Sequence, residues 1–153
     1  TRWVAFTDSV MGGLSHMEAW HDAWDGERCL RMDGLVRLEN RGGFIQIALP
    51  LATGGHPFDA RHLAGLSLRV RGARAPFRIH LRTADQEMPW EHFSATAWSE
   101  PHWQDVYVPF SAFRGVMTRH RLRTSALVRL GIVLSEDPGP AGLAVSRVGF
   151  AAA

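Results

Sequence analysis

The sequence predicts an all-β fold, a two-sheet sandwich of jelly-roll type, and three observations carry that expectation. Apolar and polar residues alternate with a period of two over most of the 153 residues, turn residues separate the alternating runs, and helical spacing is scarce. About ten short strands in one domain imply two packed sheets. Residues 1–153 read as a single domain without linker, repeat or low-complexity segment. A chain of this length buries roughly 70% of its unfolded surface, so it builds a core without staples.

The elements follow in order. Met17, Ala19 and His21 alternate with His16, Glu18 and Trp20, and Asp25-Gly26 supplies the positive-φ residues of a tight hairpin before Arg28 to Asp33. Val36 and Leu38 oppose Leu35, Arg37 and Glu39. After Asn40-Arg41-Gly42-Gly43, Ile45, Ile47 and Leu49 oppose Phe44, Gln46 and Ala48, which predicts a second hairpin. Pro50, Gly54, Gly55 and Pro57 mark a loop, and Asp59 is placed to cap one helical turn through Leu63. Leu66, Leu68 and Val70 then alternate with Ser67, Arg69 and Arg71, and Phe77, Ile79 and Leu81 with Arg78, His80 and Arg82. Trp103, Asp105 and Tyr107 alternate with Val106 and Val108. Val128, Leu130, Ile132 and Leu134 form a further strand, Asp137-Pro138-Gly139-Pro140 turns the chain, and Leu143, Val145 and Val148 indicate a last one.

Composition removes several function classes. No apolar run approaches bilayer length. All 17 basic residues are arginine, spread among 15 carboxylates, so the chain carries no basic block of the kind that holds nucleic acid. The lone Cys29 excludes an internal disulfide, reads as a small buried residue, and fits a reducing compartment; a cytoplasmic location is expected. The eight histidines show no His-Glu-x-x-His and no paired-cysteine partner, so no metal and no cofactor is expected, although calcium at a loop stays open. Asp22 with Asp25 and Glu136 with Asp137 flank turns, no Gly-x-Ser-x-Gly elbow appears, and neither glycine pair is followed by the lysine of a phosphate loop. A catalytic residue is therefore not assigned.

The side chains opposite the apolar positions suggest binding instead. Arg37, Glu39, Asn40, Phe44, Gln46, Arg69, Arg71, Arg82, Trp103 and Tyr107 offer donor forks, acceptors and flat rings, and merge into one recognition surface if their strands are neighbours. The competing reading is a solvated face of cross-strand ion pairs. Gly12-Gly13 and Gly42-Gly43 either order two packed turns or present Asp8, Ser15, Glu39 and Asn40 around a small cleft.

Two stretches exceed what strand periodicity requires: Asp8-Ser9-Val10-Met11-Gly12-Gly13-Leu14-Ser15 and Leu38-Glu39-Asn40-Arg41-Gly42-Gly43-Phe44. They resemble the two signature motifs of the complex I intermediate-associated protein 30 family, with Asp8, Met11, Gly12, Gly13, Ser15, Gly42 and Gly43 as the motif positions. Gly65 to Gly72, Phe77 to Arg82, Trp103 to Phe113, Arg129 to Ile132 and Leu143 to Val148 match in the same order. The resemblance implies a galactose-binding-like β-sandwich, similar in shape to several carbohydrate-binding modules, without established catalytic activity. Mitochondrial members of that family assist assembly of respiratory NADH:ubiquinone oxidoreductase. Ala73-Arg74-Ala75-Pro76 departs from the polar, glycine-containing turn usual there. The sequence thus leads to a non-catalytic accessory protein that holds a protein partner, with a saccharide-binding module as alternative and glycoside hydrolysis behind both.

Overall fold

The computed structural model describes residues 4–7, 16–36, 44–135 and 139–152. Eleven strands form two antiparallel sheets: β1 (Val4–Thr7), β2 (His16–Trp24), β3 (Glu27–Val36), β4 (Phe44–Pro50), β5 (Gly65–Gly72), β6 (Ala75–Thr83), β7 (His92–Ser99), β8 (Gln104–Pro109), β9 (Arg114–Val116), β10 (Leu127–Ser135) and β11 (Gly139–Ala151). One sheet has six strands in the order β1-β4-β10-β6-β7-β9, the other five in the order β2-β3-β11-β5-β8. No α-helix occurs among the described residues; two single 3-10 turns, Phe110–Ala112 and Thr124–Ala126, precede β9 and β10.

Each strand's apolar parity faces the space between the sheets. Met32, Leu66, Leu68 and Val70 from the five-stranded sheet meet Ile45, Ile47, Phe77, Ile79, Leu81, Leu130 and Ile132 from the six-stranded one, all essentially without solvent exposure. Removing one such side chain from water is worth roughly 1.5–3 kcal/mol, so this doubly lined core is the main source of stability. The β2–β3 hairpin turns through Asp25 at φ 49° and Gly26 at φ 79°, the positive dihedrals that a two-residue turn needs to follow strand twist.

Three expectations are corrected. Val36 and Phe44 do not begin a hairpin, because β3 pairs with β2 and β11 while β4 pairs with β1 and β10; the chain changes sheet between them. Asp59 does accept a bond from the Arg61 N–H at 3.1 Å, but Leu63 N–H closes on Ala60 O and the segment is a turn rather than a helix. Gly139 and Pro140 belong to β11 and not to the expected turn; residues 136–138 lie outside the described segments. A bulge between Val145 and Arg147 also explains why the inward parity moves from Leu143 and Val145 to Val148 and Phe150.

Candidate binding face

The outer side of the five-stranded sheet is a built array of indoles and guanidinium groups. Trp20 stands opposite Arg31 in register, and Trp24 opposite Glu27. Arg31 lies 5.4 Å from the Trp20 ring centre and 4.1 Å from that of Trp24, and Arg71 approaches the same Trp24 ring to 4.1 Å. Ala144 on the central strand is the cross-strand partner of both arginines and is fully buried, so a small residue there lets the two cations converge. Trp103 donates its indole N–H to the Trp24 carbonyl at 3.0 Å and sets its ring edge-on, centroids 6.5 Å apart at 74°. That bond ties β8 at one edge of the sheet to the hairpin at the other.

Ion pairs close a second row beside it. Arg69 grips the Glu27 carboxylate at 2.6–2.9 Å through Nε and Nη2 and reaches Asp105 at 3.3 Å through Nη1; Arg147 meets the same Asp105 oxygen at 3.3 Å. Arg71 ion-pairs with Asp25 in the hairpin turn, and Arg31 with Asp22 at 3.4 Å. The hydrogen bonds from Arg69 hold Glu27 below the usual carboxylate range, and Glu27 in turn holds the Arg69 guanidinium above its ordinary value. Asp22 is also held low, chiefly by the Ala23 N–H at 2.8 Å. Cys29 lies on this outer side but is buried, and burial raises its thiol pKa, which suits a small packing residue rather than a nucleophile.

Of the residues the sequence assigned to one surface, this face brings together Arg69, Arg71, Trp103 and Tyr107. Phe44, Gln46 and Arg82 stand on the other sheet. The expected merging of all these strands therefore fails: β5 and β6 are consecutive but belong to different sheets, so identical alternation sends their polar side chains to opposite sides of the sandwich. Gln46 is buried, its amide lying over the bare backbone of Gly131. Arg82 donates to the Met88 carbonyl at 3.0 Å and is paired in register with Arg129. Arg37, Glu39 and Asn40, together with Asp8, Met11, Gly12, Gly13, Ser15, Gly42 and Gly43, lie outside the described residues.

Sequence reasoning missed Trp24 and Arg31 as members of the array, although both follow the outward parity of Glu18 and Trp20 and of Asp33; their convergence on Arg71 depends on which strand lies between them. It also missed a stacked pair on the six-stranded sheet, His80 on His92, with ring centres 4.0 Å apart and planes at 27°. Burial pushes His80 down to about 3, with His92 and Arg78 adding repulsion, and burial lowers His92 too. Among the described residues, no three His, Cys, Asp or Glu side chains are grouped to hold a metal, and no helix is long and apolar enough to cross a membrane.

Two antiparallel sheets with this strand order define a jelly-roll sandwich of the galactose-binding-like kind. The chain belongs to the complex I intermediate-associated protein 30 family, whose model matches residues 1–145. A comparison with curated protein sequences gives no match. Among solved structures, the fold is similar to the family 11 carbohydrate-binding module of the cellulosomal cellulase Lic26A-Cel5E of Clostridium thermocellum, with TM-score 0.79 at 12% identity, covering 100% of this chain and 89% of that one. The family 11 module from Clostridium thermocellum in complex with a β-1,3-1,4-mixed-linked tetrasaccharide gives TM-score 0.78 at 12% identity, covering 99% and 89%. A family 30 carbohydrate-binding module gives 0.67 at 16% identity, covering 92% and 82%.

Proposed function

We propose that this chain is a non-catalytic binding domain that holds a protein partner against the outer side of its five-stranded sheet, in the manner of an assembly factor for respiratory NADH:ubiquinone oxidoreductase. The observation that carries this reading is the array of Trp20, Trp24, Arg31, Arg69, Arg71, Trp103 and Tyr107 on one side of one sheet. Tryptophan, tyrosine and arginine are the residue types that dominate binding energy at protein interfaces. Their mutual contacts fix the rotamers before any partner arrives, which lowers the entropy lost on docking. Five strands spaced about 4.8 Å apart, each contributing about seven residues, expose roughly 550 Å², somewhat below the roughly 800 Å² per partner of a standard interface. Family membership supports the kind of partner. The likeness to carbohydrate-binding modules supports non-catalytic binding in general, and a saccharide is the second reading.

Affinity capture from the source organism tests the proposal, using the wild-type chain and one arginine variant on each sheet. Recovery of respiratory-complex subunits with wild type and with Arg82→Ala, and their loss with Arg71→Ala at unchanged circular dichroism, is the expected pattern. Loss with Arg82→Ala alone would move the docking surface to the six-stranded sheet, and failure to recover any stable protein partner would end the assembly-factor reading.

A further inference from the structure

We propose that the same sheet carries, adjoining the Trp24 array and sharing Tyr107 and Arg69 with it, a seat for one neutral hexopyranose unit of a glycan, built from Ser67, Gly149, Tyr107, Asp105 and Arg147. The hairpin of β2 and β3 stops at Glu27, and beyond it the outer face continues on β11, β5 and β8 alone. An open depression of about 730 Å³ lies there, lined by Ser67, Arg69, Asp105, Ser146, Arg147 and Gly149 together with four aliphatic residues, one of them Leu49 of the six-stranded sheet. Its volume falls within the range usual for small-molecule sites, roughly 300–1,000 Å³.

Part of the floor is bare backbone. Gly149 and Ser67 are register partners, and Gly65 follows on the same side of β5. A Cβ placed on Gly149 would meet no atom within 4 Å, so the space above this strand position is open. A glycine inside a strand weakens it and commonly marks a place where a ligand comes close to the backbone. Gly65 has a different reason: a Cβ there would press on Val108, Pro109 and the Tyr107 ring, so Tyr107 leans across it instead of standing clear of the sheet. The ring is 47% exposed. As the register partner of Ser67, it stands beside the depression as a flat apolar platform.

Arg69, Asp105 and Arg147 form the polar wall. Both ion pairs of Asp105 fall on Oδ1, and no described residue donates to Oδ2, which leaves an acceptor at the rim. The Arg147 side chain is 70% exposed and spends one N–H direction on Asp105, leaving further donors beside that acceptor. An adjacent acceptor and donor match two vicinal hydroxyls, one donating to carboxylate and one accepting from guanidinium. A ring face packs well against the C–H face of a pyranose. The charges of this wall balance, Arg69 and Arg147 against Glu27 and Asp105, so it offers no net attraction to an anion. The lining mixes these polar groups with aliphatic ones, which matches a neutral ring that has hydroxyl edges and C–H faces.

The seat does not rest on the protein-partner reading, and the two are separable by variant. Gly149→Val tests it most directly, because the open space above Gly149 lets the folded chain accept a side chain that occupies the depression. In two-dimensional NMR of the labelled protein, titration with cellotetraose, mannotetraose or galactotetraose should shift the amides of Ser67, Tyr107 and Gly149 with at least one sugar. Tyr107→Ala should weaken that binding about tenfold, and Gly149→Val should abolish it while leaving the rest of the spectrum, and protein capture through the Trp24 array, unchanged. No shift at these residues with any of the three sugars, shifts confined to the six-stranded sheet, or undiminished binding by Gly149→Val would each overturn the assignment.

Discussion

The Arg71 guanidinium lies 4.1 Å from the centre of the Trp24 ring and also ion-pairs with Asp25, the next residue in the chain, so the β2–β3 hairpin turn is anchored to β5 across the intervening β11. Arg31 approaches the same ring at 4.1 Å. Two cations on one indole define how the face holds itself together.

From this follows a stability prediction. A guanidinium over an aromatic ring contributes about 0.5–2 kcal/mol depending on desolvation. Trp24→Leu, which keeps an apolar side chain but removes the π-face, should cost about 1–3 kcal/mol in urea unfolding. A double-mutant cycle with Arg71→Met should show a coupling of about 1 kcal/mol. Additive effects of the two changes would mean that the ring and the cation are neighbours without energetic consequence.

The sandwich and its core were legible because alternation reports directly on inside and outside. Leu66, Leu68 and Val70, or Phe77, Ile79 and Leu81, need only their own strand to declare their faces, and all six are buried. The Asp25-Gly26 turn was legible because its chemistry is local. What alternation does not encode is which sheet a strand joins. Arg71 and Arg82 sit in indistinguishable patterns, yet β11 claims one strand and β10 the other, and the expected single surface divided between two. The meeting of Trp24, Arg31 and Arg71 was likewise hidden, since it depends on β11 inserting the small Ala144 between β3 and β5.

Gly131 presents a second test, on the opposite sheet. A Cβ added there would collide with the Gln46 side-chain amide, which is itself buried. Inserting even one methyl into a packed site costs typically 1–3 kcal/mol, so Gly131→Ala should lower the denaturation midpoint by about that much. Gln46→Ala in the Gly131→Ala background should recover part of the loss, because it vacates the contested space. If the double variant is simply the sum of the two single ones, the amide does not lie over this glycine.

The hairpin turn gives a third prediction. Gly26 holds φ 79° with open space where a Cβ would sit, so a substitution there is opposed by backbone strain alone. Gly26→Ala should cost about 1 kcal/mol, in keeping with the penalty for an ordinary residue in the left-handed region. Gly149→Ala, which also faces open space but carries no positive φ, is the control and should change the thermal midpoint far less. Equal losses at the two positions would argue against a strained turn.

The stacked histidines set the acid limit of stability, and the sign follows from which state binds the proton. His80 is held neutral down to about 3 against an ordinary value of 6.5, first by burial and then by repulsion from His92 and Arg78; burial also lowers His92. Above pH 6.5 folded and unfolded chains are both neutral at these rings and nothing changes. As pH falls through 6.5 the unfolded chain takes up protons that the folded one refuses, so stability drops, by up to about 1.4 kcal/mol per pH unit for each ring. Glu27, Asp22, Asp85 and Glu91 all have carboxyl groups held below their ordinary values, so their stabilisation is intact above 4.5 and lost only at lower pH. The interval from 6.5 to 4.5 consequently isolates the imidazoles from these carboxylates. Urea midpoints measured across it should decline in the wild-type chain and decline less in His80→Gln, which keeps a polar side chain without a titrating ring. A wild-type midpoint that stays level down to pH 4.5 would show that the rings open to water and protonate in the folded state.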